Sequence, residues 1–114
     1  MKLSRIKEIL DAELLCGDAY MDKDIKSACG SDLLSDVLAF THAETLLLTG
    51  LINKQVIMTA ELADVSAICF VRGKRPEMSI VTLSEKKNIP LLLTHHRMFE
   101  ACGLLYMGGL ARTV

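Results

Sequence analysis

The chain has 114 residues, 51% of them hydrophobic and 24% charged, with a formal net charge of −1. That balance excludes a protein that holds nucleic acid or an acidic membrane surface by bulk charge, and the apolar runs are too short for a transmembrane helix. With two Tyr, three Phe and no Trp, the core must be built from aliphatic side chains and Met.

Ser4 is placed to cap a short helix over residues 5–10, whose Ile6, Ile9 and Leu10 share one side. Residues 13–16 read as a short strand closed by the Gly17-Asp18 turn, and residues 25–29 as a second strand ending at Gly30. Ser31 or Asp32 then caps a helix reaching Phe40, with Leu33, Leu34, Val37 and Leu38 as its apolar face.

From residue 45 onward one unit repeats three times: an apolar run, a small or polar turn, an amphipathic helical pattern. The runs cover residues 46–49, 67–71 and 91–93, and Thr49, Val71 and Leu93 are spaced 22 residues apart. Asn53 caps the helix after the first run, with Val56, Ile57, Ala60 and Ala63 facing inward. Pro76 suits the first turn of the next helix, which carries Ile80, Val81, Leu83 and Ser84 and stops at Asn88, ahead of Pro90. Thr94 caps the last helix, with Met98, Phe99, Cys102 and Leu105 along one stripe and Gly108-Gly109 at its end. The last five residues are expected to form a mobile tail.

Apolar runs without alternation belong to strands covered on both faces. The pattern therefore predicts an α/β fold, a mainly parallel sheet with helices on its faces. No linker or low-complexity segment interrupts it, so one domain over residues 1–114 is expected. Cys16, Cys29, Cys69 and Cys102 lie far apart with no CxxC, and the N-terminal residues form no apolar signal segment. The expectation is a cytoplasmic protein with reduced, buried thiols.

Right-handed crossovers bring every strand-to-helix turn to one edge of such a sheet. That edge collects Gly30, Ser31, Asp32, Thr49, Gly50, Leu51, Ile52, Asn53, Arg72, Gly73, Lys74, Arg75, Thr94, His95 and His96. One reading is an anion pocket: several helix N-termini converge, basic side chains add full charge, and Gly50 and Gly73 let the backbone approach a phosphate or nucleotide. The competing reading is that Asn53 and Thr94 only cap and the glycines only turn. Neither common phosphate-loop signature is present. His42, His95, His96 and Cys102 lack zinc-site spacing, so no metal and no cofactor is expected. Asp32, Asp36, Glu44, Glu61 and Asp64 form no pair whose spacing compels acid–base chemistry, and no catalytic residue is assigned. Adjacent Leu33-Leu34 and Leu104-Leu105, with Tyr106 and Met107, exceed what one helix face can hide, which points to a homodimer.

The stretches Gly30-Ser31-Asp32, Leu47-Leu48-Thr49-Gly50, Phe70-Val71-Arg72-Gly73 and Ile89-Pro90-Leu91-Leu92, with Thr94, resemble the DRTGG domain. The resemblance spans residues 25–110 and is close to small standalone members, which are similar in Thr59-Ala60-Glu61 and in Met98-Phe99-Glu100-Ala101-Cys102-Gly103. The family is named for an Asp-Arg and a Thr-Gly-Gly. Here Leu33 follows Asp32 and Leu51 follows Gly50. The resemblance implies an α/β fold similar to the N-terminal domain of HPr kinase/phosphorylase, without its kinase half. Related domains accompany CBS modules in nucleotide-regulated pyrophosphatases and precede the catalytic part of some phosphate acetyltransferases. Standalone members are encoded near iron hydrogenase and kinase components. It thus implies a non-catalytic regulatory or accessory module that senses a nucleotide or phosphorylated metabolite. The alternative is a protein-interaction adaptor for a hydrogenase, redox, kinase or other signalling complex with no small ligand. Neither nucleic acid nor membrane is expected as a partner.

Overall fold

The computed structural model describes residues 1–112. In chain order the elements are α1 (Leu3–Ile9), β1 (Glu13–Cys16), a 3-10 turn (Asp18–Tyr20), β2 (Ser27–Gly30), α2 (Leu34–Phe40), β3 (Thr45–Thr49), α3 (Lys54–Leu62), β4 (Ala67–Phe70), α4 (Met78–Lys86), β5 (Leu91–Leu93), α5 (Met98–Met107) and β6 (Ala111–Arg112). The sheet order is β1-β5-β4-β3-β2-β6, with β1 antiparallel to β5 and every other pair parallel.

Strands β3, β4 and β5 are buried at every position because both faces of the sheet are covered. Successive residues alternate between two cores. Leu46, Leu48, Ala67, Cys69 and Leu92 face α1 and α5 and join Leu3, Ile6, Leu10, Ala101 and Leu105. Leu47, Ile68, Phe70, Leu91 and Leu93 face the other way and join Val37, Val56, Ile57 and Ala60, with Ile80, Val81 and Leu83 packed alongside. Helices α2, α3 and α4 thus share one face, as expected when β2 to β5 are laid down in one direction by right-handed crossovers. Burial pushes the Cys69 thiol up to about 12, and desolvation raises Cys16, Cys29 and Cys102 as well.

The helix-to-strand turns at the lower edge use Asp11, Glu44, Asp64 and Asn88 at positive φ (48°, 64°, 56° and 58°). Asp and Asn tolerate the left-handed region better than most side chains, so these turns close without glycine. Gly17, at φ 94°, lies against Pro90 at the entry to β5.

Several sequence expectations shift. Helix α1 begins at Leu3 and β2 at Ser27. Helix α2 begins at Leu34 with no side-chain cap, because Ser31 bonds Leu33 in its own turn and Asp32 is bonded to the end of β3. Pro76 is buried just outside α4, which begins at Met78. Helix α5 begins at Met98, four residues after Thr94, so Thr94 caps nothing. Phe99 leaves the buried stripe and is 89% exposed, while Leu33, just ahead of α2, and Leu38 on it are exposed. The expected tail contains a buried Leu110 and a short strand, β6, parallel to β2; residues 113–114 of that expectation lie outside the described residues.

Candidate functional site

Chain leaving β4 goes to α4 on one face of the sheet, and chain leaving β5 goes to α5 on the other. A crevice opens at such a switch point, outside the carboxyl ends of the two strands. Here main chain fills it. Arg72 N–H donates to the His96 carbonyl (2.8 Å) and Gly73 N–H to the Thr94 carbonyl (2.9 Å), while Lys74 N–H turns back to Val71 (3.3 Å). Arg72 and Gly73 achieve this with consecutive positive φ values, 63° and 65°. Among the described residues, Arg72 is the non-glycine residue that adopts this conformation at the upper edge. Backbone strain of this kind concentrates at functional positions.

The open space sits one strand over. A cleft of about 430 Å³ lies between the turn after β3 and the start of α4, lined by Gly50, Leu51, Ile52, Asn53, Lys74, Glu77 and Ile80. Asn53 caps α3 as its sequence position foretells, its Oδ1 accepting from Val56 N–H (3.2 Å). The N-terminus of α3 therefore opens on the cleft with its positive partial charge. Arg72 borders it: its guanidinium lies across Gly50, and a Cβ there would overlap Nη2 and stand 3.1 Å from Cζ and Nε. Gly50 does not have positive φ. It is free of a side chain to make room for the guanidinium, not to make the turn.

Asp32 locks the same turn from the other side. One carboxylate oxygen accepts from Thr49 Oγ1 (2.9 Å) and from Gly50 N–H (2.7 Å), and Thr49 Oγ1 accepts from Leu51 N–H (3.2 Å). This bonding gives Asp32 and Thr49 a structural task, holding the rim of the cleft.

The remaining candidates do not join the cleft. Gly30 lies on the α5 face, where a Cβ would stand 2.6 Å from Cys102 Sγ and 3.0 Å from Met98 Sδ, so its role is close packing of α5. Ser31 N–H extends the β2–β3 pairing through the Leu48 carbonyl (3.0 Å). Thr94 is fully buried and donates to the Leu10 carbonyl (2.7 Å), tying β5 to α1. His95 is exposed, its ring 4.3 Å from that of His96. Of the expected helix N-termini two border the cleft, that of α3 through its cap Asn53 and that of α4 through Glu77, the residue before its first turn, while α5 starts elsewhere. Among the described residues no three His, Cys, Asp or Glu side chains are grouped to hold a metal ion. The sequence placed Leu51 and Ile52 at this edge but did not single out Glu77 or Ile80 as site residues; Glu77 directly precedes α4 and Ile80 lies in its first turn.

A family model described as the DRTGG domain matches residues 5–106. The chain belongs to the DRTGG domain family. In this DRTGG chain, Asp32, Thr49 and Gly50, the residues on which the sequence resemblance rests, form a bonded trio. Among solved structures it is similar to the CBS and DRTGG domains of the regulatory region of Clostridium perfringens pyrophosphatase, complexed with its activator diadenosine tetraphosphate, at 19% identity and a TM-score of 0.71. The match covers 91% of this chain and 45% of that one, so the DRTGG chain spans less than half of its neighbour. At that identity the likeness establishes the α/β fold. No curated protein matches the chain.

Proposed function

We propose that this DRTGG chain is a non-catalytic regulatory domain that senses a nucleotide or another phosphorylated metabolite in the cleft beside Gly50. The observation that carries the reading is the cleft itself: the α3 N-terminus, Lys74 and a backbone-strained Arg72 meet there, and neither basic side chain forms an ion pair with a described residue. The Clostridium perfringens neighbour, a regulatory region bound to a nucleotide activator, supports the same class of role. The adaptor alternative draws no support from the comparisons. None of the four thiols lines the cleft, the pKa of each is raised, and the Asp32 carboxylate is spent on a turn, so the cleft holds no activated thiol.

Thermal-shift measurements with nucleotides and phosphorylated metabolites test the reading. A ligand at 100 times its Kd should stabilise the protein by about 2.7 kcal/mol. Arg72→Glu and Lys74→Glu should each abolish that gain and leave the unliganded melting temperature nearly unchanged, because both side chains are exposed. Should either reversal unfold the protein, the pair is structural and the reading fails.

The domain is further read as a cytoplasmic, single-domain homodimer over residues 1–114. Four free thiols support the compartment. Phe99 and Met107, 89% and 88% exposed on α5 beside an exposed Tyr106, support an interface at that helix. Light scattering at micromolar concentration should give about twice the 12.5 kDa chain mass; the chain mass itself would overturn the dimer.

A further inference from the structure

The cleft beside Gly50 does not end at α4. A second groove of about 390 Å³ runs between α3 and α4, lined by Lys54, Ser79, Ile80, Thr82, Leu83 and Lys86. Ile80 lines both spaces, and Lys54 of the groove follows Asn53 of the cleft in sequence. The two halves differ in chemistry. The upper half has the α3 N-terminus, Lys74 and the carboxylate of Glu77. The lower half has an aliphatic floor, Ile80 and Leu83, flanked by the hydroxyls of Ser79 and Thr82. Lys54 stands at the junction and Lys86 at the far end, and neither forms an ion pair with a described residue.

We propose that cleft and groove form one elongated site for a nucleoside polyphosphate, with the phosphates above Ile80 and the base below it. The proposal rests on the anion reading of the cleft and extends it to a ligand class. Each volume lies at the low end of the range for small-molecule pockets, and together they accommodate a ligand larger than a simple phosphorylated metabolite. Three unpaired lysines along the path, against one carboxylate, match a polyanion. Glu77, beside the junction, is chemically suited to accept hydrogen bonds from ribose hydroxyls, as acidic residues do in dinucleotide sites. The flat face of a base fits an aliphatic floor, and the Ser79 and Thr82 hydroxyls supply hydrogen-bond partners for its edge.

The test compares inorganic tripolyphosphate with the four ribonucleoside triphosphates by titration calorimetry on the intact chain. The variant is Ser79→Gln/Thr82→Gln, which fills the groove from two exposed positions with a better helix former and leaves the upper cleft untouched. At least one nucleotide should bind about tenfold or more tightly than tripolyphosphate, and the double variant should bring its affinity down to the tripolyphosphate level. Equal binding of nucleotides and tripolyphosphate, or a nucleotide affinity unmoved by the double variant, would overturn the elongated site while sparing the anion cleft. No binding of either probe would overturn the elongated site, and the thermal-shift screen with phosphorylated metabolites then decides the anion cleft by itself.

Discussion

Gly17→Ala should be the most damaging small substitution in this chain, with a loss of about 2–5 kcal/mol. Two independent costs coincide. Gly17 has φ 94°, where a Cβ strains the backbone. The added carbon would also overlap the Cβ of Pro90 and stand 2.5 Å from its Cα, so a rigid ring and its main chain must move. Pro90 sits at the mouth of β5, where its carbonyl accepts from Ile68 N–H (3.0 Å), and displacement would reach the central sheet. Gly73 is the control. It has φ 65° but nothing within 4 Å of the point where a Cβ would stand, so Gly73→Ala should lose only the conformational part, about 1–2 kcal/mol. Urea midpoints of the two variants give the comparison. Equal losses would show that the β1 turn slides off Pro90 at no cost.

Asp32→Ala should cost about 2–3 kcal/mol, because it strips two donors of their acceptor rather than one. Thr49 is fully buried and Gly50 N–H lies behind the carboxylate, so neither group regains a partner simply by facing solvent. Asp32→Asn keeps one side-chain oxygen and loses only charge assistance, about 1 kcal/mol. The order Ala worse than Asn is the signature of a turn held by an acceptor. A ligand contact would behave differently, weakening binding without moving the urea midpoint. The two variants should also differ in the cleft, since the freed Gly50 turn no longer presents a fixed shelf to the Arg72 guanidinium.

The family resemblance is legible in the residues themselves, but the tasks of its named residues are not. Asp32 is seventeen positions from Thr49, and nothing in either local pattern says that a carboxylate before α2 will close a turn after β3. Gly50 looks like a turn glycine in sequence and is instead a shelf for a side chain 22 residues away. Thr94, followed by polar residues, looks like a helix cap. Its hydroxyl is drawn to the Leu10 carbonyl, because a buried hydroxyl bonds to the acceptor nearest in space.

Local chemistry determined what could be read directly. Runs such as residues 46–48 and Leu91–Leu93 are apolar at consecutive positions because both faces of the sheet are covered, and Asn53 caps α3 because its side chain reaches Val56 N–H three residues on. Periodicity and capping are interactions over a few residues, so the sequence carries them whole. Tertiary structure alone decided where the open space would be. The β4–β5 switch point, where a ligand crevice is expected, is filled by hydrogen bonds from Arg72 and Gly73 to His96 and Thr94. The cleft moved to the neighbouring pair of loops, between Gly50 and Ile80. That outcome depends on which distant carbonyls satisfy two buried-edge amides, a competition settled by packing across the sheet and not by the identity of any residue's neighbours in the chain.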